Sequence, residues 1–425
     1  MSRHDIYFAA WALVLPIASV VLLPTMQGTT PGNLFALAAM APPVSLLIIP
    51  KEKILPFYYD LALASFGFLA LNALAQLSLA FSTITYFPLS LPLVDSLDID
   101  NSILMRKTMF TQSLYLLAGA STFFFVKHLY CEKWDKYFFV GAIVLGLYGV
   151  YECVYFFATG ASGDFLSNRA FESGTLFADP HTGSWFQTIH LGPLTLQRLK
   201  SLTGEPSMYA FTILPFWIYA LHTKRTAAQG FLLITLVMST TTTAVLGICT
   251  YLLIRLVYYG LADRFVCVVG GILLFLLAMG LFGNEYILSA FKQLIEDKVT
   301  AENPSGAGRF ASFLTSWEYF LDLPLANQLF GIGYGYIRST DLLSTSLVNL
   351  GIIGFLLTTC IFIYPVVKLG RTEREVGIKA SLIVIFVTMI FSKPNFAFLS
   401  IWLFLGIAYN EVKKRTERRT PTFGP

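Results

Sequence analysis

Charge is what this sequence has least of. Only 13% of its 425 residues are Asp, Glu, Lys or Arg, about half of the roughly 25% carried by a soluble domain. With 56% hydrophobic residues, 38 Phe and a mean hydropathy of +0.66, the chain has too little polar surface to face water. That excludes a soluble enzyme, a nucleic-acid-binding domain and a disordered chain. Cysteine is scarce as well. Cys131, Cys153, Cys249, Cys267 and Cys360 all fall in apolar runs or on the side that the charge pattern makes cytoplasmic. No disulfide across an outer loop and no Cys-based metal site is therefore expected. The sequence also lacks an internal repeat, a low-complexity tract, and a polar stretch large enough for a cytoplasmic nucleotide-binding domain.

What it has instead is a succession of long apolar runs, so the expected fold is an all-α polytopic membrane protein. The runs lie near 6–24, 33–50, 55–78, 109–126, 137–158, 206–222, 228–240, 243–259, 265–283, 342–367, 377–391 and 396–412. They give about twelve transmembrane helices in a single integral membrane domain over 1–425. Ser239-Thr240-Thr241-Thr242-Thr243 separates the seventh and eighth runs, which read either as two spans or as a re-entrant pair. Lys and Arg cluster in alternate connections: Arg3, then Lys51 and Lys53, then Lys127, Lys133 and Lys136, then Lys224 and Arg225. Arg255 and Arg264 follow, then Lys368, Arg371, Arg374 and Lys379, and finally Lys413, Lys414, Arg415, Arg418 and Arg419. By the positive-inside rule both termini are cytoplasmic. No A-x-A site precedes Gln27-Gly28, so the first run reads as a retained anchor.

On this topology every long connection lies outside: 82–107, 159–205 and 284–341. Loops of that length usually carry function. Ionisable residues within the runs are few, Asp60 and Glu152 being the main ones. That speaks against a transporter, whose polar site sits near the bilayer midplane. Nucleotide-activated sugars and ATP are cytoplasmic, so an enzyme working outside needs an activated group already carried across the membrane. A lipid-linked pyrophosphate meets that need.

The outer residues divide into two clusters. The 159–205 loop closes with Gln197-Arg198-Leu199-Lys200 and Thr203-Gly204-Glu205-Pro206. Pro206 suits the first helical position of the sixth run, and Glu205 suits its cap. That run enters from outside, so Arg198 and Lys200 lie beside the positive end of its dipole and could hold phosphate. The plainer reading is an interfacial basic pair snorkelling to headgroups. The second cluster has Ser305-Gly306-Ala307-Gly308-Arg309, Trp317, Pro324, Gly331-Ile332-Gly333-Tyr334-Gly335 and Arg338-Ser339-Thr340-Asp341. Its glycines either bring backbone N–H groups to an anion or simply make a turn between two outer helices. Trp185, Trp317 and Tyr334 suit either sugar stacking or loop packing. Asp98-Ile99-Asp100 has a D-x-D spacing, and His181 and His190 lie near Asp179. Neither set has zinc-ligand spacing, and no metal site is assigned.

Arg198 through Ala210 resembles a segment of the O-antigen polymerase (Wzy) and O-antigen ligase (WaaL) superfamily, in which an Arg precedes a Gly-x-Pro-like span entry. Ser239–Thr243 is similar to a hydroxyl-rich element of that family. Gly308-Arg309, Trp317, Pro324, Gly331-Ile332-Gly333 and Asn349-Leu350-Gly351-Ile352-Ile353-Gly354 resemble its R…W…P…G-x-G…G-l-x-G pattern. The resemblance covers roughly 137–367; the N-terminal third matches in hydropathy alone. It implies a GT-C-like helical fold with two large periplasmic loops, 159–205 and 284–341, in a bacterial inner membrane. The implied activity is a metal-independent, cofactor-free glycosyltransferase of polysaccharide or lipopolysaccharide biosynthesis. A glycan would pass from undecaprenyl pyrophosphate to a lipid-linked repeat unit, with membrane lipid and optionally a chain-length regulator as partners.

Ligases of the family carry a His-Asn pair about ten residues before the last G-l-x-G. Here Thr340-Asp341 stands there, and the loop holds no His. That favours a polymerase over a ligase to lipid A core, while a lipid-linked oligosaccharide flippase is disfavoured by the few ionisable residues within the runs and the long outer loops. The R-x10-G spacing of some polymerases is absent, since Tyr209 follows Arg198 and Phe320 follows Arg309 at that distance. Carried over, Arg198 and Arg309 would hold the donor pyrophosphate, and Asp341 or Glu205 would take the acceptor proton. Lys200, Arg338, Tyr334 and Trp317 would contact substrate.

Overall fold

Helices form on the apolar runs, and proline and glycine decide where they stop. A computed structural model describes residues 2–23, 26, 28–88, 90–94, 103–169, 187–191, 194–282, 304–392 and 395–419. The candidate residues Asp98, Asp100, Asp179, His181 and Trp185 lie outside these. The first helices are α1 (Arg3–Val14), α2 (Pro31–Met40), α3 (Pro42–Ile48), α4 (Lys51–Ala80), α5 (Lys107–Leu129) and α6 (Asp135–Thr159). After a hairpin of β1 (Thr188–Leu191) and β2 (Leu194–Gln197) come α7 (Pro206–His222), α8 (Thr226–Ser239), α9 (Thr242–Tyr259) and α10 (Arg264–Phe282). The last are α11 (Pro304–Asp322), α12 (Leu325–Phe330), α13 (Leu342–Lys368), α14 (Glu373–Phe391) and α15 (Leu399–Arg419). The antiparallel hairpin sets Thr188 opposite Gln197 and is the only sheet among the described residues.

Among the described residues five helices are long and apolar enough to cross a membrane: α4, α5, α6 with its leading turn, α9 and α13. The α2–α3 pair would make a sixth, bent by 86° where Ala41 is held extended by the proline after it. The run at 6–24 differs from the expected span. Its helix ends at Val14 after 12 residues, about 18 Å at 1.5 Å per residue, against a hydrocarbon core of about 30 Å. Pro16 is the physical reason, having no N–H for the ladder and a ring that clashes with the preceding turn. Likewise α8 has 14 residues and stops at Thr240, whose φ of 45° is left-handed.

The outside of the bundle is apolar. Along α4, Leu55, Tyr59, Leu63, Phe66 and Leu69 are exposed at helical spacing, and α13 exposes Ile352, Leu356, Ile363 and Val367. Stripes this long are far beyond the patches a water-soluble monomer shows; they suit lipid. The inside is aromatic and centred on α7, which buries Tyr209, Phe211, Phe216, Trp217 and Tyr219. Helices α8, α9 and α14 pack around it.

The bundle has two polar ends. At the terminal end, where α1 begins and α15 finishes, Asp5 accepts from Lys133 Nζ at 2.6 Å and Trp134 Nε1 at 2.7 Å. Asp135 accepts from the hydroxyls of Tyr130 and Tyr219 and pairs with Arg374. At the far end α13 is interrupted within its length. Gly351 has φ 68°, and the chain at 331–333 inserts there. The N–H groups of Ile332 and Gly333 donate to the carbonyls of Val348 and Asn349, at 2.9 and 3.0 Å, taking over acceptors the helix would otherwise use. A Cβ on Gly351 would lie 2.3 Å from the Leu329 carbonyl oxygen, so the close approach requires glycine.

Candidate functional site

The floor of the far end is built from chain that hydropathy assigned to a span and to a loop. Past Pro16 the chain runs extended, and the N–H groups of Ala18 and Ser19 donate to the Leu202 carbonyl at 2.9 and 3.1 Å. The Ser19 carbonyl accepts from the N–H groups of Asn168 and Arg169, and Asn168 clamps both polar groups of the Val21 backbone. Ser201 reaches down to donate to the Leu145 carbonyl at 2.6 Å, ten residues into α6. So 164–169 and 199–203 pack within the bundle instead of lying over it.

That packing relocates Lys200. Its side chain is fully buried, ion-paired to Asp164 and 3.6 Å from Glu152, and Glu152 also accepts from the Ser201 N–H at 3.0 Å. Burial pushes the Asp164 carboxyl up, but the Lys200 charge and hydrogen bond, joined by those from Ser167, outweigh it and hold it below its ordinary value. Lys200 is therefore an internal counter-ion and does not reach a surface ligand. Glu152 sits seven residues inside the end of α6. These partners lie 36 and 48 positions from Lys200, and no sequence spacing marks them.

Arg198, two residues earlier, has a different environment. Its guanidinium donates to the Gln187 side-chain oxygen, to the Thr240 carbonyl at 2.9 Å and to Thr240 Oγ1 at 3.0 Å. All these acceptors are neutral. The left-handed turn at Thr240 aims two oxygens at one arginine, while Thr241 caps α9 by accepting from the Ala244 N–H at 3.1 Å. The hydroxyl run thus both caps a helix and seats Arg198. Burial lowers the Arg198 pKa to about 10 against the opposing charge of Glu205, and the nearby charge of Arg309 lowers it further. It remains a cation at neutral pH.

These couplings place Glu205 and Arg309 beside Arg198. Pro206 opens α7 as expected, and Glu205 occupies the cap position. Its carboxylate accepts from Ser207 Oγ and makes no cap bond to the backbone. Arg309 projects from α11 and is half-buried. Among the described residues, no hydrogen bond or ion pair engages its guanidinium. Its carbonyl accepts from Thr340 Oγ1 at 3.1 Å, which ties α11 to the 338–341 segment.

Asp341 does something other than the base chemistry expected of it. Its carboxylate caps α13, accepting from the Ser344 N–H at 2.7 Å, from Ser344 Oγ, and from Ser339 Oγ at 3.2 Å. Both oxygens are engaged in holding the helix start. The glycine run is a turn that wedges α13 open and does not form an anion cradle. The N–H groups of Gly331, Ile332, Gly333 and Tyr334 are consumed by Asn327, Val348, Asn349 and the Asn72 side chain. Trp317 is half-buried, stacked on Phe313 and packed near Phe320, so it serves a small hydrophobic cluster beneath α11.

Tyr334 and Arg338 do meet, at a furrow. One cleft, about 430 Å³ of open space, is lined by Tyr334, Arg338, Gln112, Asn349 and Asn395. A second, about 570 Å³, is lined by Arg338 and Asn395 together with Arg169, Tyr115, Leu15 and Phe398. Arg169 was not singled out in the sequence, where Ser167-Asn168-Arg169 carries no motif. It donates to the Ala18 carbonyl at 3.0 Å and to the Tyr115 hydroxyl at 3.1 Å, with its guanidinium 5.5 Å over the Tyr115 ring. The far end therefore gathers four arginines from four separate segments. Comparison with known protein families, with characterised proteins and with solved structures finds no match to this chain.

Proposed function

We propose that the chain is a polysaccharide polymerase, of the O-antigen type or a related surface glycan, working at the outer face of a bacterial inner membrane. In this reading about twelve helical segments thread the bilayer in a GT-C-like arrangement, with both termini cytoplasmic and the far end periplasmic. One observation carries it. Arg309 is half-buried, and its guanidinium has no hydrogen-bond or ion-pair partner among the described residues. Its charge acts on an Arg198 whose hydrogen bonds all go to neutral oxygens, with Glu205 the one carboxylate acting on the pair. One carboxylate offsets only one of the two positive charges, and the excess favours a further anion. A pyrophosphate supplies that anion, and guanidinium forks suit it better than ammonium groups.

The acceptor hydroxyl of a lipid-linked repeat unit attacks the anomeric carbon of the donor glycan. The new C–O bond forms as the bond to undecaprenyl pyrophosphate breaks. Arg198 and Arg309 stabilise the charge gathering on the leaving pyrophosphate, the role a metal fills elsewhere. Glu205, whose charge acts on Arg198, takes the acceptor proton. Arg338 and Tyr334 contact substrate along the furrow. A flippase would place its ionisable residues around a passage through the membrane. The buried Glu152, Lys200 and Asp164 line neither cleft.

The test is the glycan ladder from cells lacking their own polymerase, complemented with wild type, Arg198→Ala or Arg309→Ala at matched membrane levels. Long ladders with wild type and single repeats with either variant are expected. A ladder that survives both substitutions sinks the pyrophosphate assignment, and no ladder from wild type sinks the polymerase.

A further inference from the structure

We infer that the Arg169–Arg338 furrow is a second phosphate site, separate from the Arg198–Arg309 pair, and that it takes the lipid pyrophosphate of the acceptor. The inference rests on the polymerase reading, because that reaction brings two pyrophosphate-linked lipids to one face at once. One pair of arginines cannot hold both.

The furrow has the chemistry the second lipid requires. Arg169 is fixed by the Ala18 carbonyl and the Tyr115 hydroxyl. Arg338 is exposed, and among the described residues its guanidinium makes one long side-chain contact, 3.4 Å to Gln112. Both line the same cleft, and their charges are close enough to act on each other. Asn33 and Asn395 offer amides on the same wall, while Leu15, Ile17, Phe398 and Leu399 give an apolar wall beside them. A phosphate carrying a sugar on one side and an isoprenoid chain on the other matches that division. The second cleft continues from Arg338 past Tyr334.

The two sites are also joined in the right order. Thr340 holds the Arg309 carbonyl, and Arg338 lies two residues earlier, at most about 7 Å along the chain. The Asn349 side chain brackets Ile337, accepting from its N–H at 3.0 Å and donating to its carbonyl at 2.8 Å. The backbone at the base of Arg338 is thereby fixed.

The experiment counts labelled undecaprenyl pyrophosphate bound to the full chain in phosphatidylcholine nanodiscs. Two molecules per wild-type chain are expected. Arg338→Ala should weaken one site by roughly tenfold or more and leave the other, while Arg198→Ala with Arg309→Ala should do the converse. Arg169→Gln is the second variant for the furrow, and each protein is first shown to elute as one species. Two undiminished sites in both furrow variants overturn the inference and leave the polymerase reading standing. No binding to wild type overturns both. Repeating the count with phosphatidylglycerol in the disc separates the sources of phosphate. If that headgroup alone empties the Arg338-dependent site, the furrow binds bulk lipid and the acceptor assignment falls.

Discussion

The two ends of the bundle handle cations in opposite ways. At the terminal end Arg374 meets Glu132 and Asp135, Arg255 meets Asp263 through both oxygens, Lys133 meets Asp5, and Lys127 meets Asp60. At the far end Arg198 meets an amide, a hydroxyl and a carbonyl, and Arg338 meets an amide at long range. A carboxylate partner neutralises a guanidinium, whereas neutral oxygens orient it and leave its charge available. The first arrangement stabilises the protein, and the second is the one the proposed function assigns to a ligand. The division even separates neighbours, because Lys200 sits in a carboxylate pair two residues from Arg198.

The comparison predicts which substitutions damage folding and which damage activity. The largest loss of stability belongs to Lys200→Ala, which strands two buried carboxylates at a cost of about 3–5 kcal/mol. It should remove most protein from the membrane in an immunoblot. Converting Glu152→Gln, Asp164→Asn and Lys200→Met together should recover much of it, since a neutral set of similar volume avoids the desolvation cost. Arg374→Ala should cost about 3 kcal/mol by leaving the buried Asp135 carboxylate with two tyrosine hydroxyls and no counter-ion, read as a lower melting temperature. Gly351→Ala forces a left-handed backbone on alanine and a clash with Leu329; a loss of about 2 kcal/mol is expected. Glu205→Gln should leave melting unchanged and slow polymerisation by about a hundredfold, measured as ladder growth per molecule.

The smallest effect is on acid stability. The Asp164 carboxyl is held below its ordinary value, so its contribution is full above the usual carboxylate range. It is lost only as pH falls through the depressed folded value. The Asp164 contribution should lower the melting temperature below about pH 4. That acid limb should be weaker in Asp164→Asn.

Helix positions were legible because a lipid-facing run must be apolar, and apolar runs survive any choice of partner. Pro206 at the start of α7 was legible for the same local reason. The interruption of the first run was legible too, through Pro16, but a hydropathy window averages a single proline away. Asp341 shows the limit of reading residue types. An acid three residues before Ser344 opening an apolar run is an N-cap signal, yet the same acid also fits a base. Arg198 and Arg309 stood out because their segments carry a recognisable pattern. Arg169, Asp164 and Glu152 did not, since their roles come from the packing of 164–169 against 18–21 and 199–203. Contacts of that kind join distant positions without a fixed spacing.

The most direct test sets Arg309→Ala beside Arg374→Ala, measuring melting temperature in detergent and ladder length per folded molecule for each. The account predicts that Arg309→Ala melts with wild type and makes only single repeats, while Arg374→Ala melts early and its surviving molecules still polymerise. An Arg309→Ala protein that melts early, or that keeps a full ladder, would contradict the division between the two ends.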